Sequence, residues 1–71
     1  MVNIKTDIYL ETGRNIKWRV GDYCKIYTTL NKDIIGRIIQ IDPINNKVMT
    51  KPDDSYVKTI DINDIKDIGT V

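Results

Sequence analysis

Apolar and polar residues alternate with a period of two over much of this chain. Ile4, Thr6, Ile8 and Leu10 alternate with Lys5, Asp7, Tyr9 and Glu11, and Ile16, Trp18 and Val20 alternate with Lys17 and Arg19. That period places successive side chains on opposite faces of a pleated strand. Residues 4–10 and 16–20 are therefore expected to be strands, joined through Thr12-Gly13-Arg14-Asn15 into an N-terminal hairpin. Trp18 is expected in the core, with Ile16 and Val20.

Gly21-Asp22 ends that run and opens the next strand. Cys24 and Ile26 should face inward there, and Tyr23, Lys25 and Tyr27 outward. Residues 28–33 read as a polar loop. Residues 34–42 form the strongest strand, kinked near Gly36, because glycine inside a strand often marks a bend or bulge. Its apolar residues fall on both faces, so it is expected to coil tightly or to be covered, and a homodimer would cover it. Asp42-Pro43-Ile44-Asn45-Asn46 is a turn, with Pro43 presetting φ and the asparagines tolerating the left-handed region. Residues 47–51 and 56–61 read as strands around the turn at 52–55. Ile62 and Ile65 stand three apart, the spacing of a single 3₁₀ turn. Residues 68–71 close the sheet.

Composition points the same way. Of 71 residues, fourteen are Ile, seven Thr and five Val, while Ala and Phe are absent, which favours strands over helices. The length allows one domain, spanning 1–71, with a small core. The single cysteine, Cys24, excludes an internal disulfide, and the absence of histidine removes the commonest zinc ligand and general base. Stability must then come from a well-packed isoleucine core or from self-association. The net charge is +1, divided as +3 over residues 1–32 and −2 over residues 33–71. No apolar run reaches the length of a membrane helix and no leader is visible, so a cytoplasmic protein without membrane contact is expected.

The spacing Gly21-Asp22-x-Cys24-x-Ile26 followed by Gly36-x-Ile38-x-x-Ile41 resembles the KOW motif of SH3-like barrels, found in large-subunit ribosomal proteins and transcription elongation factors. The resemblance covers residues 20–41, and Lys32 falls where that loop carries a lysine. Thr29 and Asp33 stand where the family has loop glycines that approach RNA. The resemblance implies an all-β fold: a small SH3-like barrel of five to seven antiparallel strands over residues 21–71. The N-terminal hairpin (1–20) precedes it, and a single 3₁₀ turn lies near the C-terminus.

Catalysis has little support. Cys24 faces the core with no histidine partner, and free cysteine packs as a small hydrophobe. Ser55 lies in a turn. Asp61, Asp64 and Asp67 invite a calcium reading, but although Asp61 and Asn63 fit the calcium-loop pattern, Ile65 and Lys66 occupy its fifth and sixth positions and it fails. No metal or cofactor is expected. The better candidates are Tyr23, Lys25 and Tyr27 on one strand face, with Lys17 and Arg19 on the neighbouring strand and Lys32 and Arg37 nearby. Such a face suits RNA or other single-stranded nucleic acid, with tyrosines stacking and cations meeting phosphate. It equally suits a protein partner, and β propensity alone also enriches Tyr and Lys on exposed strands. The expected function is non-catalytic binding. The partner is either a nucleic acid or ribonucleoprotein, as the KOW resemblance implies, or a protein bound at the aromatic face or a free sheet edge in an interaction or inhibitor module.

Overall fold

The computed structural model describes residues 1–30 and 32–71. Asn31, part of the expected loop 28–33, lies outside them. Among the described residues eight strands form two antiparallel sheets, with one 3₁₀ turn. The first holds β1 (Asn3–Lys5), β2 (Tyr9–Glu11) and β3 (Lys17–Trp18), in that order. The second holds β4 (Tyr23–Thr28), β5 (Ile34–Asp42), β6 (Lys47–Pro52), β7 (Lys58–Asp61) and β8 (Ile65–Gly69), in the order β7-β6-β5-β4-β8. The 3₁₀ turn Ile62–Asp64 joins β7 to β8. Among the described residues no backbone ladder links the two sheets; side chains of both share one core.

The N-terminal hairpin is instead a three-stranded sheet, while the described residues of 21–71 hold five strands, within the expected five to seven. The apolar alternation of residues 4–10 runs straight through a turn. Thr6 and Asp7 are turn formers, and the Ile8 N–H donates to the Lys5 carbonyl at 2.9 Å. Ile8 takes φ 57°, an unusual value for a β-branched residue, and is exposed rather than half-buried. The second turn forms as expected, with Asn15 at φ 62° and its N–H on the Thr12 carbonyl. Trp18 is in the core, but Ile16 and Val20 are exposed. The reason is the length of β3. The chain leaves the sheet beyond Trp18 into a turn where the Asp22 N–H donates to the Arg19 carbonyl, and Val20 sits at its corner.

In the second sheet β4 alternates as expected, with Cys24 and Ile26 buried and Tyr23, Lys25 and Tyr27 outward. Gly21, at φ 99°, turns the chain into it. The irregularity of β5 lies at Ile39, between the Ile38 and Gln40 pairings, and not at Gly36. It reconciles the two apolar faces. Gly36 and Ile38 point inward before the bulge and Ile41 after it, while Ile35 and Ile39 stay outward. Gly36 serves a different end, a close crossing with β6, where a β-carbon would come within 2.7 Å of Pro52 Cα. β7 begins at Lys58 rather than Tyr56, which is exposed, and the last strand is Ile65–Gly69 rather than 68–71.

The core draws on both sheets. Val2, Leu10 and Trp18 come from the N-terminal part. Cys24, Ile26, Ile38, Ile41, Val48, Ile60, Ile62, Ile65 and Ile68 come from the second sheet and its 3₁₀ turn. Full burial of each large aliphatic side chain contributes about 1.5–3 kcal/mol. Among the described residues no helix is long and apolar enough to cross a membrane.

Candidate functional site

The seven sequence candidates do not form one face. Tyr23, Lys25, Tyr27 and Arg37 share the outer surface of the second sheet, where Tyr23 pairs with Arg37 across β4 and β5. The Arg37 guanidinium lies 5.7 Å from the Tyr23 ring centroid, and Lys25 Nζ lies 5.2 Å from that of Tyr27. Acids answer these cations. The Tyr23 hydroxyl donates to the Asp53 carboxylate, and Lys25 Nζ stands 4.0 Å from Asp33. The bond to Asp53 holds the Tyr23 phenol pKa above its ordinary value, with smaller contributions from desolvation and the Asp53 charge. Arg37 also donates to the Gly21 carbonyl at 2.5 Å.

Lys17 and Arg19 were expected beside that face and are not there. Lys17 belongs to the first sheet and Arg19 follows directly after its last strand, and β3 does not pair with β4. Their partner is Tyr9, an aromatic that the sequence reading left among the polar alternates. Lys17 Nζ and the Arg19 guanidinium carbon lie 5.1 Å and 5.0 Å from its ring centroid. Lys32 lines a separate polar cleft with Asp33, Asp54 and Lys58.

A further concavity lies elsewhere. An open groove of about 600 Å³ runs between the two sheets, lined by Ile16 and Trp18 on one side and by Tyr27, Asp67 and Gly69 on the other. Its flanking strands, β3 and β8, are both edge strands. Arg14 spans the rim and donates to Asp67 at 2.9 Å. Gly69 keeps the floor low, since a β-carbon there would meet the Tyr27 ring at 3.5 Å. Trp18 is 9% exposed, and its indole N–H is buried without an acceptor among the described residues. An unpaired buried donor of that kind costs about 1–3 kcal/mol.

Cys24 is fully buried, and burial pushes its thiol pKa up to about 11, helped by the Asp22 charge. It is held as the neutral thiol, which is not the nucleophilic form. Among the described residues no three His, Cys, Asp or Glu side chains converge in a metal-binding arrangement. No protein-family model, curated protein or solved structure matches the chain.

Proposed function

We propose that this protein is a non-catalytic binding module that takes an extended segment of a protein partner into the groove between β3 and β8. The groove itself carries the reading. Its volume of about 600 Å³ falls within the range of ligand sites, and its walls combine an aromatic and aliphatic surface with a few polar groups. Two sheet edges flank it, so a ligand strand can add its backbone to either while its side chains meet Ile16, Trp18 and Tyr27. The fold reading is an SH3-like small barrel. It is supported by the meander β4 to β7, the return of β8 to β4, the coil introduced at Ile39 and the 3₁₀ turn before the last strand. Nucleic-acid binding through Tyr23 and Tyr27, which the KOW resemblance implied, draws less support, because Asp33 and Asp53 offset Lys25 and Arg37 on that face.

Trp18 is the only tryptophan, so binding in the groove reports through its own emission. Peptides selected from a random displayed library should shift or quench Trp18 fluorescence on titration. Gly69→Leu, which fills the groove floor, should weaken them at least about tenfold, the loss of one well-packed contact. Selection that yields no binder, or binders indifferent to Gly69→Leu, would overturn the reading. Self-association has separate support in Ile35 and Ile39, 38% and 39% exposed on the outer face of β5. Sedimentation of wild type against Ile35→Lys tests it, and a monomer in both rejects it.

A further inference from the structure

We infer that the outer face of the first sheet, centred on Tyr9, is a binding surface for single-stranded nucleic acid, separate from the groove. Charge is segregated between the two parts of the chain. Residues 1–20 carry four Lys or Arg and two acids, net +2, whereas residues 21–71 carry seven and eight, net −1. Three of those four cations, Lys5, Lys17 and Arg19, gather on one side, while the fourth, Arg14, is bonded to Asp67 at the groove rim. Lys5 lies opposite Tyr9 and Lys17 opposite Glu11, while Ile4, Leu10 and Trp18 turn to the other side.

The acids near this face differ in what they do. Glu11 is held by Lys5 at 3.4 Å, Asp22 turns its carboxylate onto the backbone N–H of Arg19 at 2.8 Å, and Asp7 lies in the exposed β1–β2 turn. Lys17 and Arg19 are exposed, make no ion pair among the described residues, and pack over the Tyr9 ring. Two cations resting on one aromatic form a layer that offers both charge for phosphate and a flat surface for a base. Arg guanidinium planes and tyrosine rings both stack on unpaired bases. A single strand suits the surface because its bases are free to stack, whereas a duplex keeps its base faces stacked inside and presents only backbone and base edges. The arrangement differs from that of Tyr23, whose hydroxyl bonds Asp53, in having no carboxylate bonded to Tyr9 among the described residues. With the groove occupied by a protein segment, this face would let one small domain hold a protein and a nucleic acid together.

Titration of labelled oligothymidine and oligouridine into the intact protein, followed by anisotropy at several salt concentrations, tests the assignment. Two phosphate contacts predict a log–log salt slope of about −1.4. Lys17→Gln and Arg19→Gln should each flatten it by about 0.7. Tyr9→Ala should lower affinity about 5- to 150-fold, the range for a lost base stack. Tyr9→Phe should restore most of the binding, and circular dichroism checks that each variant is folded. Lys58→Gln removes the same charge from the other sheet and should change little. Three results would overturn the proposal: no binding at low salt, equal loss with Lys58→Gln, or polyphosphate competing as well as the oligonucleotides while Tyr9→Ala has no effect. The groove's peptide titration is read by a different probe, so failure of either reading leaves the other standing.

Discussion

Two glycines sit inside strands of this protein, and they do opposite things. At Gly36 any β-carbon would press on the β6 backbone, 2.7 Å from Pro52 Cα and nearer still to the Lys51 carbonyl. Backbone cannot swing aside as a side chain can. Gly36→Ala is expected to destabilise by about 3 kcal/mol, at the upper end of the usual overpacking cost, read as a lower urea midpoint at unchanged slope. At Gly69 the nearest atom belongs to the Tyr27 ring at 3.5 Å, an ordinary contact. Gly69→Ala should stay within about 0.5 kcal/mol of wild type. Sequence marked Gly36 as special but not why, because the atoms that make it so belong to Lys51 and Pro52, a strand away. The titrating residues give signed expectations as well. The Tyr23 pKa is raised in the folded state by its bond to Asp53, so the stability it contributes is present below its ordinary value of 10.0. That contribution is lost as pH rises through the folded value. Thermal melts at alkaline pH should show wild type falling toward Tyr23→Phe, and parallel curves would contradict this.

At the scale of the element, the corner between β7 and β8 depends on Asp61. One carboxylate oxygen accepts from the Asn63 N–H at 2.9 Å and the other from Lys47 at 3.0 Å, so the same side chain caps the 3₁₀ turn and pins β6. Asp42 is used similarly, accepting from the Asn45 side chain and from the Ile44 and Asn45 N–H groups in the β5–β6 turn. These bonds lower both carboxyl pKa values, led by the Asn63 N–H for Asp61 and the Asn45 amide for Asp42. Their contribution is present above the ordinary value of 3.8 and disappears as pH falls through the folded values. Asp61→Asn and Asp42→Asn should each flatten the acid limb of the stability profile, measured by melting temperature against pH. Both turns were legible in the sequence because their chemistry is local. The break at Thr6–Ile8 was not. Alternation continues through it in register, and the reversal shows only in the folded chain, in the Ile8 bond to Lys5, the positive φ of Ile8 and the pairing of Ile4 with Leu10. Nor could the shortness of β3 be read, since Ile16 and Val20 have the residue types of a strand interior.

For the molecule as a whole, the N-terminal sheet completes the core rather than decorating it. Leu10 is fully buried and pairs with Trp18. Leu10→Ala should cost about 2–5 kcal/mol, out of the ~4–10 kcal/mol expected for a domain of this length. A folded Leu10→Ala protein with unchanged urea midpoint would show that the sheet is dispensable. The all-β class was readable from alternation and composition. The groove was not, because it is assembled from Ile16, Trp18, Tyr27 and Gly69, and nothing in their spacing says that the edge of β3 faces the edge of β8. The Tyr9 platform was half-legible. Its cations were singled out, but strand pairing supplied them with a different aromatic. The burial of Val2 in the same cluster as Ile68 has a consequence for how the protein comes into being. β4 finds its second neighbour only when β8 exists, and the core packs Val2 and Leu10 with Ile65 and Ile68, more than fifty residues later. A chain emerging from the ribosome therefore cannot fold in instalments. It waits until β8 has been made, with its isoleucine-rich strands uncovered, and then closes in the millisecond-to-second range typical of topologies dominated by distant pairings.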